Sequence, residues 1–153
     1  EGNELRMRYT RPGEQLTIGG AIWFEPGSDL ISVDEEAGLR RIVSEVEGKP
    51  QKIEVRGHTS GQPLPDDSTY RDQWDLAYQR CHVVVDRLIE LGIKPRRIRI
   101  GIAASNEPAR LSADPLLVKQ NDRVEVFLLN EFTDEIVNPT QVQDAPPGTP
   151  ANN

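Results

Sequence analysis

The chain has 153 residues, enough for one domain with a real core, and is 36% hydrophobic and 5% aromatic. With 18 basic and 25 acidic residues its formal charge is −7, which argues against a nucleic-acid partner, since a phosphate backbone demands a basic footprint. The single cysteine, Cys81, excludes an internal disulfide, and no apolar run approaches membrane-spanning length.

The chain opens on Glu1 rather than methionine. The expectation is therefore an excerpt or processed product, with any membrane anchor or export signal lying upstream.

Residues 1–14 are polar, contain Pro12-Gly13 and read as a loose lead-in. From Gln15 to Phe24, Ile18, Ile22 and Phe24 alternate on one side while Trp23 points the other way, the pattern of a half-buried strand. Glu25-Pro26-Gly27-Ser28 then turns the chain. Ser32 and Glu35 form a capping-box pair ahead of a helical stripe of Leu39, Ile42, Val43 and Val46, which Gly48 and Pro50 end.

A second strand, Lys52 to Arg56, turns Ile53 and Val55 inward and Lys52, Glu54 and Arg56 outward, so one sheet face is expected to be covered and the other wet. It runs on through Gly57-His58-Thr59-Ser60 into a loop, 61–71, longer than a connector needs. Asp72 and Asp75 can cap the next helix, whose expected stripe is Trp74, Ala77, Cys81, Val84, Val85, Leu88 and Leu91 before Gly92 and Pro95.

A third strand, Arg97 to Ile102, puts Ile98, Ile100 and Ile102 inward and Arg97 and Arg99 outward. Residues 103–120 follow as a long loop with a helical turn over Leu116-Leu117-Val118, then a fourth strand from Arg123 to Leu129. The Pro- and Asn-rich stretch 131–153 reads as a flexible tail beyond a domain spanning 15–130.

The order β-α-β-α-β-β predicts an α+β fold: a two-layer sandwich with a mixed four-stranded sheet, both helices on one face and right-handed crossovers.

Arg80 is the sharpest chemical signal, because a guanidinium at the margin of a helix stripe suits bidentate binding of a carboxylate. His58 and Ser60, with Asp66 or Asp67, offer the residue types of a hydrolase, but no strained nucleophile turn surrounds Ser60 and catalysis is not expected. His58 and His82 are the only histidines and no metal-binding spacing is present, so no metal or cofactor is expected. Cys81 falls on the helix stripe as a small core residue.

At these residues the sequence resembles the OmpA C-terminal-like domain family, and within it the MotB branch of flagellar stator proteins. The resemblance covers about 20–130. Ile22-Trp23-Phe24-Glu25-Pro26-Gly27-Ser28-Asp29-Leu30 resembles the family's opening strand and turn, and Ile53 to Ser60 its strand ending in Gly-His-Thr-Asp. Gln73-Trp74-Asp75-Leu76-Ala77-Tyr78-Gln79-Arg80 resembles its Asn-x-x-Leu-Ser-x-x-Arg helix start. Gly92 to Ile98 and Asn121-Asp122-Arg123-Val124-Glu125-Val126 resemble the last two landmarks.

The resemblance implies a non-catalytic, cofactor-free module in the periplasm or cell envelope that binds peptidoglycan. In the family, the aspartate and the arginine grip the ammonium and carboxylate of diaminopimelate in the stem peptide. Carried over, the ligand-binding set is Glu25, His58, Thr59, Ser60, Gln73, Leu76, Arg80 and Arg123. A homodimer is also compatible with the resemblance.

Ser60 stands in the aspartate position, Gln73 replaces the asparagine, Ala77 the serine, and Asp122 the first arginine of Asn-Arg-Arg. A hydroxyl in place of a carboxylate gives up about 1–2 kcal/mol in a charge-assisted contact, which Asp66, Asp67 or Glu25 would have to make good. The alternative is a degenerate relative that keeps the fold as an interaction or dimerisation module. The two readings differ in whether an acidic-plus-basic pocket is formed at Ser60.

Overall fold

A computed structural model describes residues 7–11 and 14–132. The remaining lead-in residues and the tail from 133 lie outside the described residues. Among the described residues five strands form one mixed sheet: β1 Met7–Arg11, β2 Glu14–Trp23, β3 Gln51–His58, β4 Ile98–Ala104 and β5 Arg123–Phe132. Helices α1 Val33–Val46 and α2 Gln73–Glu90 connect β2 to β3 and β3 to β4, and a single turn of helix, α3 Pro115–Val118, precedes β5.

The spatial order is β1-β2-β5-β3-β4. β5 inserts antiparallel between β2 and β3, and only β3 and β4 pair in parallel. The four expected strands thus form the sheet. A fifth, β1, pairs antiparallel with β2 inside what was expected to be a loose lead-in. Backbone pairing to an open edge creates this strand, and such pairing requires no apolar alternation in the sequence.

Local signals placed the helices well. The Ser32 hydroxyl accepts from Glu35 N–H at 3.3 Å, but Glu35 Oε2 accepts from Trp23 N–H instead of closing the box. At α2, Asp72 caps the helix by accepting from Asp75 N–H at 2.8 Å, while the Asp75 carboxylate accepts from Arg71 N–H, one residue before the cap, at 3.0 Å. Gly48 takes the positive φ (74°) that ends α1.

The core lies between the two helices and one sheet face: Leu39, Ile42, Val43 and Val46 from α1 and Cys81, Val84 and Leu88 from α2 meet Ile22, Ile53, Val55, Val124 and Val126. The buried side of α2 is wider than expected, for Leu76 and Arg80 belong to it, whereas Trp74 is half exposed. Ile100, expected inward, is 37% exposed because β4 is the edge strand of the sheet.

The opposite face is not wet. Glu54, Arg56, His58, Arg123, Glu125 and Phe127 are all buried there. Their charges are paired: Arg56 with Glu54, Arg56 with Glu107 at 3.3 Å, and Arg123 with Glu125 at 2.8 Å, while the Arg56 guanidinium sits over the Phe127 ring. Charged alternation in a strand signals solvent only when partners are missing; here the next residue on the same face of the strand, and Glu107 from the loop after β4, supply them. Arg97, expected outward, is buried too and donates to Val46 O and Gln51 O, tying the end of α1 to the start of β3.

Candidate functional site

The site forms where β3 runs out. Gly57 is the close-approach point: a Cβ there would lie 2.4 Å from Ala77 O and 2.7 Å from Cys81 Sγ. Its absence lets α2 lie directly on the strand, which brings the first turns of the helix beside Thr59 and Ser60. Burial between helix and strand, with Glu54 adding to it, pushes the Cys81 thiol up to about 12, so it stays protonated.

Arg80 was expected at the helix margin, facing a ligand. It is instead fully buried, 0% exposed. Its Nε donates to Ser28 O at 2.7 Å, one terminal nitrogen to His58 O at 3.0 Å and to Asp122 Oδ1 at 2.7 Å, and the other to Glu25 O at 3.0 Å. The Phe24 ring lies 5.3 Å from the guanidinium carbon. Arg80 therefore clamps the β2–α1 turn, the end of β3 and the residue before β5 onto α2. Its charge is met inside the protein.

Asp122 is the residue that sequence reasoning noted as a departure and did not place in the site. It is 1% exposed. Its Oδ1 accepts from both Arg80 and the Ser60 backbone N–H, the latter at 3.1 Å. Its Oδ2 is buried with no protein partner. A carboxylate from position 122 thus lies against the turn at Ser60. The signal that could have found it is the coupling of the two changes, one losing a negative charge and the other gaining it.

Beside this contact is a cavity of about 140 Å³ lined by Pro26, Gly27, Ser60, Gln62, Pro63, Leu64, Pro65, Gln73, Leu76 and Asp122. Gln73 Nε2 donates to Gln62 O at 2.8 Å, holding the long loop over the start of α2. Of the expected set, the structure brings Ser60, Gln73 and Leu76 together here.

The others lie elsewhere. Glu25 contributes its carbonyl to Arg80, while its side chain lines a separate cavity with Trp23, Asp34 and Glu35. Thr59 is buried with its hydroxyl unpartnered, and Arg123 is turned to Glu107 O, Asn121 O and Glu125 on the opposite face. Asp66 and Asp67 are exposed and line no part of the Ser60 cavity.

The His58 ring is on the opposite face as well, with Nε2 2.8 Å from Glu125 Oε1 and out of line for a good hydrogen bond. Ser60 and His58 therefore look to different sides of the sheet, and the hydrolase arrangement does not form. Burial holds the His58 pKa below its ordinary value; contact with Glu125 opposes this, Arg123 adds to it, and the charges of Glu125 and Glu107 oppose it.

A depressed histidine pKa means that the unfolded chain binds the proton more readily. Stability should accordingly fall as pH drops below about 6.5, the unfolded value, toward the folded one. Melting temperatures from pH 7.5 to pH 5 should fall more steeply for the parent than for His58→Gln; parallel curves would remove His58 as the sensor.

The fold recurs in known proteins. The chain is 26% identical over 144 residues to motility protein B of Helicobacter pylori, covering 86% of this chain and 56% of that protein. It spans about half the length of the curated relatives it matches. The solved C-terminal domain of Helicobacter pylori MotB superposes with a TM-score of 0.63 at 28% identity, covering 71% of this chain and 82% of that one. The cell wall anchor of the T6SS from Pseudomonas aeruginosa shares the fold, with a TM-score of 0.60 at 20% identity over 76% of this chain and 81% of that one. The residues that line the cavity, from Pro26 to Asp122, all fall within the segment 23–123 that matches the OmpA family, and the chain belongs to that family.

Proposed function

We propose that the domain is a non-catalytic module that holds an envelope protein to peptidoglycan, with the stem peptide seated in the cavity between Ser60, Gln73 and Asp122. Its place is the periplasm or cell envelope, as for the solved periplasmic domain of Helicobacter pylori MotB.

The observation that carries the reading is the cavity itself. It is small, it sits at the C-terminal end of β3, and it is lined by Asp122, whose carboxylate oxygen Oδ2 is buried without a protein hydrogen-bond partner. A buried charged acceptor is costly unless something satisfies it. A ligand bearing donors does so.

The test is co-sedimentation of the full chain with purified sacculi. Retention is expected, and Gln73→Trp should abolish it by filling the cavity mouth without touching the Arg80 clamp. If the parent is not retained, the domain is an interaction module that keeps the fold. If Gln73→Trp is retained as well as the parent, wall binding uses another surface.

A further inference from the structure

In this site the arginine is already occupied. Arg80 is fully buried and spends its hydrogen bonds on three backbone carbonyls and Asp122. It does not line the cavity. The only ionised side chain that does is Asp122, and the remaining polar side chains are the hydroxyl of Ser60 and the amides of Gln62 and Gln73. All three amide or hydroxyl groups are neutral. Among the described residues the cavity wall therefore presents one carboxylate, paired from behind with Arg80, and no cation.

We propose, building on the wall-binding reading, that the cavity selects a primary ammonium with no carboxylate beside it. Two sources share that chemistry: a lysine side chain in the stem peptide, and a diaminopimelate whose side-chain carboxylate is amidated. An ammonium satisfies the unpartnered Oδ2 of Asp122 with a charge-assisted hydrogen bond. The amide of the second source can exchange hydrogen bonds with Gln62 or Gln73. A free carboxylate finds no positive partner here and must lose water next to the Asp122 carboxylate. Asp122 already occupies the arginine that such a carboxylate would need.

The decisive measurement is calorimetric titration of the full chain with three stem tripeptides that differ only in the third residue: lysine, diaminopimelate and amidated diaminopimelate. The lysine and amidated peptides, which lack a carboxylate beside the side-chain ammonium, should both bind about tenfold more tightly than the diaminopimelate peptide, which corresponds to about 1.4 kcal/mol. Equal or tighter binding of the diaminopimelate peptide overturns the proposal, and if sacculi still retain the chain, wall binding stands without it. If neither sacculi nor any tripeptide binds, the wall-binding reading falls and this inference with it.

Asp122→Asn adds a second readout: the preference should shrink at least severalfold in a variant that still folds. An unchanged preference would remove Asp122 as its source. Should that variant not fold, the ranking of the three peptides by the parent decides the matter alone.

Discussion

Replacing Arg80 with alanine should unfold much of the margin of stability, at a cost of about 3–5 kcal/mol in urea titration, the range for removing one partner of a buried ion pair. The reason is what remains behind. Asp122 keeps a buried negative charge with only the Ser60 N–H to meet it, and the carbonyls of Glu25, Ser28 and His58 each lose the Arg80 donor, Glu25 O keeping the Ser28 N–H. Buried polar groups that lose a partner are costly. Arg80→Lys should recover only part of the loss, because a point ammonium does not span the β2–α1 turn, the β3 end and Asp122 at once. The double variant Arg80→Ala/Asp122→Ala should cost less than the sum of the single changes, since removing both charges leaves neither stranded. A near-zero cost for Arg80→Ala would show that the guanidinium is free, and would return it to the role of ligand contact that its sequence position suggested.

The second large effect is expected at Gly57→Ala, with a loss of about 3 kcal/mol, the upper end of ordinary overpacking. The new methyl would lie 2.4 Å from Ala77 O and 3.0 Å from the carbon of the same carbonyl, so the helix backbone itself must retreat. Cys81 Sγ, at 2.7 Å, is the softer of the two obstacles. Adding Cys81→Ala should therefore restore little, because the carbonyl contact persists. Full rescue by that second change would mean that the sulfur alone sets the distance between β3 and α2. Retreat of α2 would also open the cavity wall at Gln73 and Leu76, so ligand binding should suffer along with stability.

Much of the fold was legible because its signals are local. Capping carboxylates and hydroxyls act across three residues, stripes repeat every three or four, and glycine or proline ends each helix at a fixed place. Strand alternation likewise told which residues of β3 and β5 face the helices. It misled at Glu54, Arg56 and Arg97, where charge was read as exposure. Each is buried because partners meet it: Glu54 and Arg56 pair with each other and with Arg99 and Glu107 far along the chain, and Arg97 donates to carbonyls of Val46 and Gln51. β1 was missed for a related reason, as its strand character resides in backbone pairing to β2.

By itself, then, the sequence determined the family landmarks, the order of helices and strands and the helix-facing core, all of which follow from periodicity and from short-range backbone chemistry. It also displayed both departures, Ser60 and Asp122. Only the tertiary structure decided what they mean together. Arg80 and Asp122 are 42 residues apart in the chain, and Ser60 and Asp122 are 62 apart. Nothing in local spacing brings them together. Insertion of β5 beside β3 sets the Asp122 carboxylate against the end of that strand, and the glycine at 57 lets α2 deliver Arg80 to the same point. Once there, a buried guanidinium and a buried carboxylate must pair, since the cost of leaving either unmet exceeds what any weak ligand could return. That pairing turns a residue expected at the helix margin into one that holds the fold, and leaves a cavity that Asp122 lines and Arg80 does not.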